Sequence, residues 1–491
     1  MAFCRSVRAL CLAPVLLTGC ARPPGDIAPT AVVPSDRQLE YQKMELIGFL
    51  HFTVNTFTDQ EWGFGDEPPA VFRPTHFEPD QWAEIAAEVG MKELILTAKH
   101  HDGFALWPSE YTEHSVKHSP WRDGAGDVVG EFVAACRRHG IKVGFYLSPW
   151  DRNHADYGRR AYLDYYRNQL RELLTNYGEV TEVWFDGANG GTGYYGGANE
   201  ERRIDRETYY EWEETWGLVK SLQAGTLIFS DAGPDIRWIG NERGFAGETN
   251  WSTIDTEGIV VGAAAAAYLN SGDPAGKRWV VPLCNTSIRP GWFYHADEDD
   301  EVKSPQELLD IYYRSVGRNC VLLLNVPPDK KGLLHERDVA ALREFRRILD
   351  ETFAVNLAEG KPVEADHHRL RHPKFAPANI VDGDPETYWA TDDDVRAATL
   401  AIDLGAATYF DRILLQEPIR FGQRISAFTI EARVAGEWAV VARGTTIGYK
   451  RLLRIPGVTA DRVRISIEEA NAVPALSNLG LFRAAAGETL D

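Results

Sequence analysis

The feature that most constrains this 491-residue chain is an alternation of short apolar runs and amphipathic stretches between residues 40 and 355. The apolar runs are strand candidates at 46–53, 93–98, 142–147, 182–185, 227–230, 279–283 and 320–326. Helix candidates at 79–89, 127–139 and 162–177 are each followed by a glycine, which is typical of a helix end. Because no glycine-rich dinucleotide motif follows the first strand, the alternation predicts an α/β fold with a (β/α)8-type barrel over 40–355, and not a doubly wound sheet.

The pattern changes at about residue 356. Shorter alternating runs follow at 401–404, 412–416, 427–433, 438–443 and 462–468, with turn residues between them. Alternation with a period of two and frequent turns is typical of antiparallel strands. Residues 356–486 are therefore predicted to form a second domain, an antiparallel β-sandwich.

The N-terminus has the features of an export signal. Arg5 and Arg8 precede an apolar run at 9–17, which is too short to span a bilayer. A basic start followed by a short apolar stretch predicts a signal peptide over residues 1–19.

The string Leu17-Thr18-Gly19-Cys20 is similar to a bacterial lipobox, in which the cysteine is lipidated and becomes the first residue. The Pro- and Ala-rich stretch that follows predicts a tether over 20–39. We therefore expect an exported bacterial protein, a periplasmic or cell-surface lipoprotein anchored through Cys20. An ordinary cleaved signal with a chance cysteine is the alternative.

The charge and the cysteines exclude several classes of function. A net charge of −20, from 72 acidic and 52 basic residues, opposes binding to nucleic acid or to anionic membranes. Membrane contact is expected only through the lipid anchor, and the substrate is expected to be neutral. Cys136, Cys284 and Cys320 show neither disulfide nor metal-finger spacing, so each is interpreted as a small buried hydrophobe.

Polar and aromatic residues stand at the carboxyl ends of the predicted strands, where barrel enzymes place their catalytic groups. They are His51, Glu61-Trp62, Lys99-His100-His101-Asp102, Tyr146, Trp184-Phe185-Asp186 and the acids between Asp231 and Glu242. Carboxylates and aromatic rings without cysteine ligands suit cleavage of a glycosidic bond, because carboxylates act as acid and nucleophile while rings stack on the sugar.

Asp186 is the strongest catalytic candidate. It directly follows an apolar strand, and a carboxylate at a barrel mouth is costly to bury unless it is paired or functional. A helix cap is the alternative, which the long loop at 187–197 disfavours. His100 and His101 are neighbours on a strand and point to opposite faces, so sugar binding is favoured, ahead of a hydrogen-bonded core histidine and of a shared metal ion. Neither a metal site nor a cofactor is predicted for the barrel.

The second carboxylate is left open by the residue pattern. The candidates are Asp231, Asp235, Glu242 and Glu248. A general acid needs a raised pKa, which burial or a nearby carboxylate provides. Glu242 is preferred because Trp238 and Gly240 would allow a ligand to approach closely, while a simply solvated acid is the alternative for each.

Several strings, in their order and spacing, carry a family resemblance. They are His51-Phe52 with Asn55-Thr56-Phe57, Glu61-Trp62, Lys99-His100-His101-Asp102-Gly103-Phe104, Tyr146, Trp184-Phe185-Asp186-Gly187 and Trp238-Ile239-Gly240-Asn241-Glu242. Over about residues 40–350 the chain resembles the α-L-fucosidases of glycoside hydrolase family 29. Thr53 departs from the pattern, since many members have glycine there.

The resemblance implies a retaining α-L-fucosidase with Asp186 as nucleophile and Glu242 as acid/base, with Glu248 as the rival. The expected fucose pocket is lined by His51, Glu61, Trp62, His100, His101, Tyr146 and Trp184. Strings at 229–235 and 287–292 resemble the branch that prefers α-1,3 and α-1,4 linkages, in which Trp292 would contact the neighbouring galactose or N-acetylglucosamine. The expected substrate is a fucosylated oligosaccharide or glycoconjugate. Alternatives are a barrel glycosidase for another sugar and a catalytically silent sugar-binding lipoprotein.

The C-terminal domain has a resemblance of its own. Asn379-Ile380-Val381-Asp382-Gly383-Asp384, Tyr388-Trp389 and Ile402-Asp403-Leu404-Gly405 resemble a discoidin-like (coagulation factor type C) module. The resemblance implies a jelly-roll sandwich of a kind that often binds sugars. Asp382 and Asp384 could ligate a structural Ca²⁺, although two carboxylates beside a glycine more often form a turn.

Overall fold

The computed structural model describes residues 25–231 and 233–488. The predicted signal peptide and Cys20 lie outside the described residues. Within the described ranges, no helix combines the length and the apolar character that are needed to cross a membrane.

The first structural unit contains twelve strands and nine helices among the described residues. The strands are β1 (Leu46–Leu50), β2 (Glu93–Lys99), β3 (Lys142–Leu147), β4 (Glu182–Trp184), β5 (Gly190–Gly193), β6 (Glu200–Arg203), β7 (Leu227–Ser230), β8 (Ile236–Trp238), β9 (Thr253–Ile254), β10 (Arg278–Trp279), β11 (Val281–Ser287) and β12 (Val321–Asn325). The helices are α1 (Asp36–Gln42), α2 (Val54–Thr58), α3 (Pro79–Glu88), α4 (Val128–Arg138), α5 (Arg160–Asn176), α6 (Trp212–Leu222), α7 (Ala266–Ser271), α8 (Pro305–Arg314) and α9 (Glu336–Phe353).

Eight of these strands close into a parallel barrel in the order β1-β12-β11-β8-β7-β4-β3-β2. The predicted barrel is therefore confirmed. One barrel strand, β8, is absent from the sequence candidates because it is only three residues long and begins six positions after the last residue of β7. The antiparallel β5–β6 hairpin lies between β4 and β7 in sequence and forms a separate sheet outside the barrel.

Two apolar layers hold the barrel. Inside it, Phe49, Ile95, Phe229 and Leu323 pack against one another, and their side chains are almost fully buried. Outside it, the helices cover the strands with a second and larger core. The helix signals in the sequence agree with this layout: α3 begins at a proline, and Gly90, just past its end, has a φ of 86°.

The second unit is antiparallel, as predicted. Its strands are β13 (Val363–Ala365), β14 (Trp389–Ala390), β15 (Ala398–Gln416), β16 (Ile425–Val434), β17 (Glu437–Gly444), β18 (Arg451–Ala470), β19 (Ala475–Leu476) and β20 (Asn478–Phe482). The main sheet runs β13-β15-β18-β16-β17, with β20 paired to β15, and β14 pairs with β19. Alternate residues of the long strands form a separate apolar core.

Part of the stretch that the sequence predicts as a tether is packed and not free. Ile27 is 1% exposed and lies in a small core with Phe375 and Tyr388 of the second unit. Arg424 donates a hydrogen bond of 2.7 Å to the carbonyl of Ala28. The tether prediction therefore needs correction from about residue 26 onward, because a single buried isoleucine and backbone hydrogen bonds fix this segment.

A pair of buried glutamates lies at the start of the barrel strands, on the side opposite the strand ends that carry the candidate residues. Glu93 begins β2 and Glu182 begins β4, and both are fully buried. Between them lies Gly144 of β3, where a Cβ would approach Glu93 Oε1 to 2.8 Å, so the glycine makes room for the carboxyl groups. Burial and the charge of Glu182 raise the pKa of Glu93, and the charge of Lys142 opposes this rise. Burial also raises the pKa of Glu182, and a hydrogen bond with Tyr41 opposes that rise.

We predict that this pair makes the fold less stable as pH rises. The folded pKa values lie above the ordinary glutamate value of about 4.3, so the folded state holds protons that the unfolded state has released. Each pH unit in that window lowers the free energy of unfolding by about 1.4 kcal/mol per retained proton. Glu182→Gln should flatten the decline in denaturant midpoint between pH 5 and pH 8, whereas Glu359→Gln at an exposed position should not. An unchanged slope in Glu182→Gln would contradict the assignment.

Candidate active site

The carboxyl ends of the barrel strands surround a cleft of about 660 Å³. Nine of the ten residues predicted for the site line it: His51, Trp62, His100, His101, Tyr146, Trp184, Asp186, Glu242 and Trp292. A second hollow, of about 800 Å³, lies on the outer side of the barrel beside α6 and contains none of them. The cleft at the strand ends is therefore the candidate active site.

Asp186 lies just past the end of β4, where the strand leaves the apolar core. Its Oδ2 accepts a hydrogen bond of 2.8 Å from the hydroxyl of Tyr146, which is the fifth residue of β3. Burial raises the pKa of Asp186, while the hydrogen bonds from Tyr146 and from the backbone of Ala188 act to lower it. Tyr146 therefore stabilises the ionised carboxylate and fixes the position of Oδ2.

Glu242 lies on the loop after β8 and reaches the same cleft. Burial and the charge of Asp186 raise the pKa of Glu242, and a hydrogen bond with Trp292 opposes the rise. The two carboxyl groups are thus close enough to interact electrostatically, and the charge on one favours a proton on the other. The charge on Asp186 therefore favours the protonated form of Glu242.

Glu248, the rival of Glu242, does not line the cleft. Arg318 and Arg451 both bind its carboxylate. Burial acts to raise the pKa of Glu248, but the two arginines outweigh it and hold the pKa below its usual value. An acid that is kept ionised by two guanidinium groups is a poor proton donor.

Three imidazoles form one wall of the cleft. Burial lowers the pKa of His51 to about 4 and that of His101 to about 3, and it holds the pKa of His100 well below the usual value. His51 Nδ1 lies 2.8 Å from Asn325 Oδ1, and His101 Nδ1 lies 2.7 Å from the hydroxyl of Ser148. All three rings are therefore neutral at pH 7, with one nitrogen of His51 and of His101 already engaged by the protein.

Aromatic rings supply the apolar surfaces of the cleft. Trp184 packs against Phe49 and Phe229, with ring centroids 4.8 and 4.7 Å apart. Trp62 is 56% exposed at the rim and lies edge-on to Trp150, with centroids 5.9 Å apart. A buried tryptophan below and an exposed tryptophan above suit a ligand with an apolar face and a hydroxylated edge.

Glu61 has a different environment from the other predicted residues. Its carboxylate accepts hydrogen bonds from the backbone amides of Trp292 and Phe293, at 2.9 and 3.0 Å, and lies 2.9 Å from His295 Nε2. It is not among the residues that line the cleft. The structure thus places Glu61 as the anchor of the loop that presents Trp292, and its contact with a substrate stays a prediction.

Two polar pairs from the same strand ends lie beneath the cleft. Lys99 Nζ is 3.0 Å from Asp151 Oδ2, and both side chains are buried. Thr53 donates a hydrogen bond of 2.7 Å to Asp102, whose pKa burial raises to about 8. Thr53, the departure from the family pattern, therefore acts on Asp102 and does not line the cleft.

Asp231, another of the acid candidates, also lines the cleft. Its Oδ2 accepts a hydrogen bond of 2.6 Å from the backbone of Gly262. Burial, with a smaller contribution from the charge of Asp186, raises the pKa of Asp231 to about 6. The site therefore has a third carboxyl group, held by a backbone amide near the β5–β6 hairpin.

Other lining residues were absent from the predicted set: Phe49, Trp150, Arg152, Trp238, Asn285 and the loop at 187–192. Trp238 donates a hydrogen bond of 2.8 Å to Asn285 Oδ1, and Asn325 donates one of 2.9 Å to the hydroxyl of Ser287. Asn285 and Ser287 interrupt the apolar pattern of β11, a signal that the sequence contains and that the strand-end criterion could have used.

Comparisons with known proteins bear on the family of this chain. A family model described as Alpha-L-fucosidase matches residues 34–351, and one described as F5/8 type C domain matches residues 363–478. Alpha-L-fucosidase 1 of Arabidopsis thaliana is 44% identical, over 92% of this chain and 88% of that protein. A solved glycoside hydrolase 29 family member from an unknown rumen bacterium is 44% identical, with a TM-score of 0.84, over 94% of this chain and 79% of that one. A Ruminococcus gnavus GH29 fucosidase in complex with fucose is 34% identical, with a TM-score of 0.86, over 96% and 98%.

Proposed function

Because this chain belongs to the α-L-fucosidases of glycoside hydrolase family 29 and has a C-terminal F5/8 type C domain, we propose that it is a retaining enzyme that removes terminal α-1,3- or α-1,4-linked L-fucose from glycans. The family match favours this function over another sugar specificity and over a silent binding protein. The observation that carries the mechanism is that Asp186 and Glu242 line one cleft and interact electrostatically.

The two carboxyl groups divide the reaction between them. A carboxylate oxygen of Asp186 bonds to the anomeric carbon of fucose while the bond to the leaving oxygen breaks and Glu242 gives that oxygen its proton. In the second step Glu242 takes a proton from water, the water oxygen bonds to the anomeric carbon, and Asp186 is released as carboxylate. The hydrogen bond from Tyr146 supports the nucleophile, and the raised pKa of Glu242 supports the acid.

The remaining groups suit a neutral sugar. The neutral imidazoles of His51, His100 and His101 hydrogen-bond hydroxyl groups without the desolvation of an extra charge. Trp184 offers an apolar surface at the base of the cleft. The bound fucose in the Ruminococcus gnavus structure supports the same substrate class here.

Azide tests the two roles. Asp186→Ala should lower kcat on an aryl fucoside by roughly 10³-fold or more, since the covalent step is lost. In Glu242→Ala, added azide should restore turnover of an activated aryl fucoside. The product, identified by NMR, should be the fucosyl azide of retained configuration. Glu248→Ala is the matched control and should show neither rescue by azide nor a fucosyl azide product. Rescue in Glu248→Ala and not in Glu242→Ala would transfer the acid/base role.

Trp292 bears on linkage preference. Its indole contacts Glu242, where the leaving sugar must lie, and its ring centroid is 5.2 Å from that of His51. Trp292→Ala should lower kcat/KM on a Lewis-type trisaccharide by about 5-fold more than on a simple aryl fucoside, because stacking contributes about 1 kcal/mol. Trp292→Phe should retain most of the kcat/KM on the trisaccharide, because its ring can still stack on the sugar. Equal losses on both substrates would contradict a role in binding the neighbouring sugar.

We also propose a structural Ca²⁺ in the C-terminal module. The hydroxyl of Thr387 lies 2.7 Å from Asp382 Oδ2, 3.0 Å from the carbonyl of Asp384 and 3.3 Å from that of Asn379. One hydroxyl can donate to only one of these three oxygens, whereas converging oxygens of this kind suit a hard cation. These oxygens support the proposal, and backbone carbonyls would have to complete the ligand set, since the described residues contain no group of three or more Asp, Glu, His or Cys side chains placed to share a metal ion.

Calcium at 100 times its dissociation constant would stabilise the fold by about 2.7 kcal/mol. The melting temperature should therefore rise on adding CaCl₂ and fall on adding EDTA, and Asp382→Asn should abolish both responses. Asp394→Asn, at an exposed position nearby in sequence, should leave them unchanged. A melting temperature that is insensitive to both reagents would contradict the site.

Export and lipidation through Cys20 remain part of the proposal. The lipobox-like string and the basic start support them. Cys20→Ala should move the protein from the membrane fraction to the soluble fraction of the producing cell, and an unchanged distribution would contradict the anchor.

A further inference from the structure

The loop over residues 239–252, between β8 and β9, connects the cleft to the C-terminal module. Glu242 lies near its first end and reaches the cleft. At its second end, from Glu248 to Ser252, the loop backbone is hydrogen-bonded to side chains of the C-terminal module. We call this segment the acid loop, a name that rests on the proposed role of Glu242.

Hydrogen bonds from the module fix the backbone of the second end. The backbone amide of Asn250 donates a hydrogen bond of 2.9 Å to the hydroxyl of Thr446. The backbone amide of Ser252 donates one of 2.9 Å to Gln423 Oε1. The Gln423 side chain also donates a hydrogen bond of 2.9 Å to the carbonyl of Asn250. These partners are buried, so each bond is protected from competing water.

Arg451 of β18 makes the closest connection. Its Nη1 donates 2.8 Å to the carbonyl of Glu248, and its Nη2 binds the carboxylate of the same residue. The Arg451 side chain is 3% exposed, whereas that of Glu248 is 62% exposed. A buried guanidinium that holds both the backbone and the side chain of one residue restricts that residue far more than a surface ion pair does.

A continuous set of contacts leads from there toward Glu242. Arg318, the second partner of Glu248, donates 2.8 Å to the carbonyl of Ala246. The guanidinium of Arg314 stacks on Phe245, 3.5 Å from the ring centroid. Asn241 donates 2.9 Å to the carbonyl of Phe245 and directly precedes the proposed acid.

The position of Glu242 depends on this loop because few other contacts hold it. Part of Glu242 is open to solvent at the cleft, while its carboxyl group is partly desolvated and has a hydrogen bond with Trp292. An acid must lie within hydrogen-bond reach of the leaving oxygen, and a displacement of about 1 Å can cost about 10²-fold in rate.

We propose that the C-terminal module is a positioning element for the reaction. Arg451, Thr446 and Gln423 hold the acid loop so that Glu242 reaches the leaving oxygen. The module thus contributes to proton donation without touching the substrate at this site, and Arg451 is a positioning residue.

The test uses aryl fucosides that differ in their need for an acid. A 2,4-dinitrophenyl group leaves without a proton, whereas a 4-methoxyphenyl group requires one. Arg451→Met in the full chain should lower kcat/KM for the methoxyphenyl fucoside by about 10- to 100-fold and for the dinitrophenyl fucoside by less than about 3-fold. Arg451→Lys should restore part of the loss.

Lys450→Met is the matched control. Lys450 is the neighbour of Arg451 in sequence and also pairs across the two units, but with Glu45 and not with the acid loop. It should leave the ratio of the two kcat/KM values unchanged, even if the melting temperature falls in both variants. Thr446→Val, which removes the acceptor for Asn250, provides a second variant if Arg451→Met does not fold.

The outcomes separate this inference from the proposed function. Equal losses on both substrates in Arg451→Met, or a selective loss in Lys450→Met, would overturn the positioning role. A Glu242→Ala variant that shows leaving-group dependence, beside an Arg451→Met variant that does not, overturns the positioning role alone. A Glu242→Ala variant without leaving-group dependence overturns the acid assignment and this inference with it.

Discussion

Closure of the parallel strand ring is the constraint on which the rest of this structure depends. β1 pairs with β12 on one side and with β2 on the other, so the first and last strands of the barrel share backbone hydrogen bonds. Because all eight strands run in one direction, their carboxyl ends lie on one face. Residues as distant in sequence as His51 and Trp292 therefore line one cleft.

Burial at that face sets the chemistry of the groups it contains. The same exclusion of water raises the pKa of Asp186, Asp231 and Glu242 and lowers that of the three histidines. Both shifts favour the neutral form. The cleft thus combines neutral imidazoles with carboxyl groups whose pKa values are raised, which suits a neutral sugar and a reaction in which one carboxyl group gives a proton to the leaving oxygen.

The two units share more than a linker. The N-terminal segment at 26–32 packs on the C-terminal module, and the acid loop of the barrel is bonded to the same module. Glu45, at the start of β1, pairs with Lys450 across the units. Each contact joins residues that are hundreds of positions apart, so the module stabilises the barrel by tying together its first strand, its leading segment and one active-site loop.

The sequence by itself determined the barrel, the antiparallel module and most of the cleft. Strand and helix periodicities are local, and a polar residue directly after an apolar strand, such as Asp186, marks the strand end without further information. Periodicity does not detect very short elements, and β8, with three residues, is too short to show a period.

Only the tertiary structure separated Glu242 from Glu248, showed that Glu61 binds the loop of Trp292, and showed that residues near Ile27 are packed. The physical reason is the same in each case. Whether a carboxylate is free in a cleft or bound by guanidinium groups depends on partners such as Arg318 and Arg451, which local sequence does not reveal and which only the closed fold brings within hydrogen-bond distance.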